Sequence, residues 1–136
     1  MAADHEQTIR RFFDTWVQRD PGALTAFFAP DGQWREANRS AAKGHDEIRA
    51  VFELQTGFAT DFSFEFLNLA VSGDTVYTER VDRFVINDVL MTVPVAGVFE
   101  LDAEGRIVDW RDYYDWADLE RQLVGAGVDT SGAEGA

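Results

Sequence analysis

The chain of 136 residues is long enough for one domain around a single core, and 46% apolar with 13% aromatic residues excludes a mainly disordered polymer. Twelve basic against 25 acidic residues give a formal net charge of −13, a field that repels phosphate backbones and anionic membranes, so neither nucleic acid nor membrane is expected as a partner. With no cysteine there is no disulfide framework, thiolate nucleophile or cysteine-bound zinc, and His5 and His45 lie far apart without a ligand cluster.

The start, Met1 to Gln7, is polar and acidic, and no apolar run approaches the ~20 residues of a membrane span, so a cytoplasmic protein is expected. Ile9, Phe12, Phe13, Trp16 and Val17 recur at helical spacing and predict a first amphipathic helix, with Asp4 placed to cap it. Asp20-Pro21 has the form of an N-cap and first helical position, and Leu24, Phe27 and Phe28 supply a second short stripe. After a Pro30–Gly32 turn comes a brief extended stretch around Gln33–Ala37, then a third helix from about Asp46 to Gln55.

The rest reads as sheet. Phe62, Phe64 and Phe66 alternate, then the phase slips to Leu67, Leu69 and Val71, the pattern of a β-bulge. Ser72-Gly73-Asp74 turns into Thr75–Ile86, Asn87-Asp88 into Leu90–Leu101, and Asp102–Gly105 into a last strand, Arg106 to about Asp115. A short helix follows from about Ala117 to Val124. Residues 1–124 are therefore expected to form a single domain, and the Gly- and Ala-rich stretch 125–136, with Val128 its one large apolar residue, a flexible tail. Helices first and an antiparallel meander afterwards argue an α+β fold, with helices packed on one face of a curved sheet.

Period-two alternation in the strand 76–86 places Val76, Thr78, Arg80, Asp82, Phe84 and Ile86 on one face. If Phe84 and Ile86 point inward, so do Arg80 and Asp82, and a buried charge without a partner costs several kcal/mol. In the last strand the inward set is Val108, Trp110, Asp112 and Tyr114, so Asp112 is a third inward charge. One arginine cannot neutralise two carboxylates; one of them should keep its proton near neutrality, giving an acid and a base for push–pull chemistry. An Asp–Arg–Asp ladder on a solvated sheet face has the same spacing, so the catalytic and the structural reading both stand at this point.

The segments VYTERVD at Val76–Asp82 and WRDYYD at Trp110–Asp115, joined by GVFEL at Gly97–Leu101, resemble the limonene-1,2-epoxide hydrolase family within the NTF2-like, SnoaL-like group of folds. FFAPDG at Phe27–Gly32 and GHDEI at Gly44–Ile48 extend the likeness over nearly all of the chain except its tail. The resemblance implies a cone-shaped α+β domain with a deep apolar pocket, commonly a homodimer, that opens an epoxide with water and needs no metal, cofactor or covalent intermediate. Carried over by motif, Asp112 would be the general base, Asp82 the general acid and Arg80 the bridge that holds both.

Where the family pattern holds its water with a Tyr and an Asn two residues apart, this chain has Trp34 and Glu36. An indole N–H and a carboxylate can still serve as water-positioning donor and acceptor. Glu36 adds a third acid, which should raise carboxylate pKa values further or move the base role from Asp112 to Glu36. Strand parity gives Phe84, Met91, Val93, Val95 and Tyr114 as the pocket lining, suited to a terpenoid, cyclic or aryl epoxide, and Gly97 as room for ligand or sheet curvature. Two other readings remain open: a polyketide cyclase or ketosteroid-isomerase-like enzyme using a pocket Asp as base, and a non-catalytic small-molecule binding module.

Overall fold

A computed structural model describes residues 4–131. Helix α1 spans His5–Val17, its first turn capped by Asp4, whose carboxylate accepts the Gln7 N–H at 3.1 Å. Ile9, Phe12, Phe13 and Trp16 are buried as the periodicity requires, whereas Val17, at the edge of the stripe, is exposed. Helix α2, Pro21–Thr25, begins at the Asp20 cap and ends before Phe27. Phe27 and Phe28, expected on α2, lie beyond it: Phe27 is in the turn, where its carbonyl accepts the Ile107 N–H, and Phe28 opens strand β1 (Phe28–Glu36) paired with Ile107. A two-residue strand β2, Ala42–Lys43, precedes helix α3, Gly44–Phe58, which is longer than its apolar stripe suggested.

Strands β3 (Thr60–Ser72), β4 (Thr75–Ile86), β5 (Val89–Leu101) and β6 (Ile107–Tyr113) form the expected meander, and helix α4, Trp116–Gly125, is capped by Asp115. The β3–β4 register slips between Phe66 and Asn68, so Leu67 is the bulged residue that the phase change marked. Asn87 and Asp88 both take positive φ, 52° and 64°, the left-handed pair of a tight two-residue hairpin turn. Another slip, between Glu100 and Leu101, falls opposite Val108. Ile107, fully buried, therefore takes the inward place that unbroken alternation had assigned to Val108.

The sheet order is β2-β1-β6-β5-β4-β3, antiparallel throughout except for the β1–β6 pair, which is parallel. That pairing inserts the first long strand beside the last, and sets Trp34 opposite Trp110 and Glu36 opposite Asp112. The helices pack on one face of the curled sheet, and Phe12 is central to their interface, in edge contact with Phe28, Phe52, Phe99 and Trp110. Of the stretch expected as tail, Val128 packs on the core and its N–H bonds the Leu123 carbonyl, while Thr130 Oγ1 donates to Glu120; residues 132–136 lie outside those described. No helix among the described residues is long and apolar enough to cross a membrane.

Candidate active site

β4 delivers Thr78, Arg80, Asp82 and Phe84 to the concave face of the sheet, and β6 delivers Trp110 and Asp112 beside them, with β5 between. The Arg80 side chain is wholly inaccessible to solvent, so its guanidinium charge has to be met inside the protein. Nη2 donates to Asp82 Oδ2 at 2.8 Å and to Asp112 Oδ2 at 2.9 Å, Nε to Asp82 Oδ1 at 3.0 Å, and Nη1 to Thr78 Oγ1 at 2.9 Å and Asp112 Oδ1 at 3.3 Å. The parity argument thus brings Arg80, Asp82 and Asp112 together. Two further partners were not singled out as such: Thr78, and the Trp110 indole, which donates to Asp112 Oδ1 at 2.7 Å. Both were legible as members of the same inward faces.

Gly97 of β5 lies between the two motif strands, paired with Thr78 on one side and Asp112 on the other. A Cβ there would stand 2.5 Å from Asp112 Oδ1 and 2.9 Å from Thr78 Oγ1, and nearer still to Arg80 Nη1. The room that glycine leaves is therefore filled by the guanidinium and its acceptors.

Asp82 and Asp112 form part of the wall of a cavity of about 440 Å³ between sheet and helices. Phe84, Val93, Val95 and Tyr114 line it as expected. Met91 does not: it is fully buried in the core where α4 closes over β5, the Gln122 side chain bonding both the N–H and the carbonyl of Thr92. Trp34 is also absent from the wall. It shares the inward face with Glu36 but lies a layer deeper, stacked on Trp110 at 4.6 Å and covered by Phe52 and Trp16, and its Nε1 has no acceptor. Buried in this way it cannot position a water in the cavity.

Glu36 does reach the cavity, where Gln55 Nε2 of α3 donates to its Oε2 at 2.9 Å. Gln55 escaped the sequence reading, although it follows Val51 by four residues and Phe52 by three, and so stands as a polar residue within an apolar helical stripe. The helices also supply Phe13, Trp16, Leu54, Phe58 and Leu119 to the wall, leaving it apolar apart from a few polar groups.

Burial pushes the Asp82 carboxyl up from its ordinary value; the Arg80 hydrogen bonds and charge oppose the rise and the Asp112 charge adds to it. Burial likewise pushes Glu36 up to about 7, aided by the neighbouring Asp112 and opposed by the Gln55 hydrogen bond and the Arg39 charge. For Arg80 burial works against the charge, but Asp112 and Asp82 outweigh it and hold the proton more firmly than in a free arginine. Burial and the Glu36 charge push the Tyr114 phenol up, keeping it a neutral donor. The site thus combines a bridged pair of carboxyl groups with a third acid poised near neutrality, at the wall of an apolar chamber.

The sequence model of the limonene-1,2-epoxide hydrolase catalytic domain matches residues 3–124. Epoxide hydrolase EphG of Mycobacterium tuberculosis is 27% identical over 116 residues, 85% of this chain and 76% of that one. The solved structure of an LEH-like epoxide hydrolase from M. tuberculosis superposes with a TM-score of 0.78 at 25% identity, over 92% of each chain. An NTF2-like protein from Burkholderia pseudomallei has the same fold, with a TM-score of 0.79 at 22% identity over 89% of this chain and 98% of the other.

Proposed function

This chain belongs to the limonene-1,2-epoxide hydrolase family, and we propose that it opens an apolar terpenoid, cyclic or aryl epoxide to a vicinal diol by direct attack of water. The observation that carries this reading is Arg80 bridging Asp82 at 2.8 Å and Asp112 at 2.9 Å in the wall of an apolar cavity. Asp112 takes a proton from water as the water oxygen bonds to one oxirane carbon. The carbon–oxygen bond of the ring breaks, and the leaving oxygen takes the proton of the Asp82 carboxyl. Epoxide and water are consumed, diol is released, and one proton returned from Asp112 to Asp82 through the Arg80-linked pair restores the site.

Asp112 suits the base role because its Oδ2 accepts a single hydrogen bond, from Arg80, which leaves a lone pair for water. Asp82 suits the acid role because burial favours its protonated form. Glu36 stands next to Asp112 across the parallel ladder, and with Gln55 it offers the acceptor and donor that hold the attacking water in place of the family's Tyr and Asn. Ring strain leaves little for a nucleophilic side chain to do, and proximity in a dry chamber supplies much of the remaining acceleration.

The experiment is incubation with a panel of terpenoid, cyclic and aryl epoxides in labelled-oxygen water, followed by mass spectrometry of the product. Diol carrying one solvent oxygen, lost in Asp112→Asn, is the expected result. Undiminished diol from both Asp112→Asn and Asp82→Asn overturns the mechanism. No diol from any epoxide overturns the activity and returns the site to carbon-acid or binding roles.

A further inference from the structure

Arg39, in the loop after β1, lines the cavity wall, half-buried, with its guanidinium 5.0 Å above the ring of Trp116. Among the described residues it takes part in none of the ion pairs, although the chain has 25 acidic residues. The nearby acids are engaged elsewhere. Glu36 accepts from Gln55, Asp115 caps α4 through the Asp118 N–H, and Asp129, exposed at the rim, accepts from the Ser131 N–H. The Trp116 Nε1 below it is buried without an acceptor. One corner of an otherwise apolar chamber therefore carries a stacked cation and an indole N–H, both lacking an acceptor.

The charge balance of the wall points the same way. Arg80 is met by both Asp82 and Asp112, whereas among the described residues Arg39 makes no ion pair, and the Glu36 carboxyl that its charge favours is hydrogen-bonded to Gln55 instead. A guanidinium stacked on one face keeps its edge N–H groups free, and that edge matches a planar carboxylate with two parallel hydrogen bonds.

Resting on the hydrolase reading, we propose that Arg39 is a specificity residue for an anionic substrate: an apolar epoxide that also bears a carboxylate, received by the Arg39 guanidinium above Trp116 while the oxirane meets Asp82 and Asp112. The cation selects the carboxylate over its neutral esters and fixes which end of the molecule enters first.

The test compares acid with ester, by turnover and by binding alone. For turnover, an aryl epoxide bearing a carboxylate is set against its methyl ester; for binding, phenylhexanoate is set against its methyl ester by calorimetry. The expected result is a preference for the acid of about tenfold in kcat/KM and in affinity, abolished in Arg39→Gln and partly kept in Arg39→Lys. Equal use of acid and ester by the wild type, or a preference unchanged in Arg39→Gln, overturns the proposal while leaving the hydrolase reading intact. An Arg39-dependent preference in binding without diol from either epoxide overturns the hydrolase reading and upholds the carboxylate site.

Discussion

Adding one methyl group at Gly97 drives it into the charged cluster from the sheet side. A Cβ built there stands 2.5 Å from Asp112 Oδ1 and 2.9 Å from Thr78 Oγ1, against the 3.0 Å below which real Cβ atoms essentially never fall. To restore ordinary contact the guanidinium and the Asp112 carboxylate must retreat by about 1 Å, a misplacement of the size that costs catalysis about a hundredfold. Overpacking of this kind also destabilises by about 1–3 kcal/mol. Gly97→Ala is therefore expected to lower kcat for diol formation about a hundredfold and to shift the urea midpoint downward. Gly57 provides the control: it lies on α3, a Cβ there meets nothing within 4 Å, and Gly57→Ala should stabilise by about 0.5–1 kcal/mol while turnover holds. Gly97→Ala with wild-type turnover and stability would refute the packed arrangement of Arg80 and Asp112 behind it.

Asp112→Asn removes the acceptor of the water proton and is expected to lower kcat by about 10²- to 10⁴-fold, and Asp82→Asn, which has no transferable proton, by a similar factor; single-turnover diol formation measures both. Glu36 titrates near 7 when folded against an ordinary value of 4.5, so between those two pH values the folded state binds more protons and stability falls as pH rises. Glu36→Gln abolishes that slope: its stability relative to wild type should grow from pH 4.5 to 7 by at most about 3 kcal/mol, and a pH-independent difference in urea denaturation would contradict the assignment. Trp34→Phe, which removes an indole N–H that has no acceptor, should cost about 1–3 kcal/mol of packing but leave diol formation within about threefold, whereas a water-positioning tryptophan would lose far more.

The inward triad was legible because a strand allows only two faces: once Phe84 and Ile86 are inside, Arg80 and Asp82 have no other choice, and the same constraint carries Trp110 and Asp112. The bulge at Leu67 was legible for the converse reason, as the point where the alternation of Phe62, Phe64 and Phe66 changes phase. Depth along a face is not encoded in parity. Trp34 and Glu36 point the same way, yet neighbouring rings seal the first while the second reaches the cavity; Met91 and Val93 differ in the same manner under α4. Gln55 and Arg39 were missed because their roles depend on which helix and loop face the sheet across the chamber, a tertiary matter that local periodicity does not carry. The β1–β6 pair escaped for a related reason, since a ladder between distant segments leaves no local turn to announce it.

That parallel ladder also bears on how the molecule comes into being. β3 to β6 can zip together through short turns as the chain emerges, but joining β1 to β6 closes a loop of about 70 residues, which costs about 4 kcal/mol in chain entropy. Arg80 and Asp82 lie on a strand that pairs with its neighbours through short turns, whereas Glu36 is separated from Asp112 by that whole loop. Glu36 meets Asp112 only across that long loop, so the third acid joins the Arg80-bridged pair through the costliest closure in the sheet.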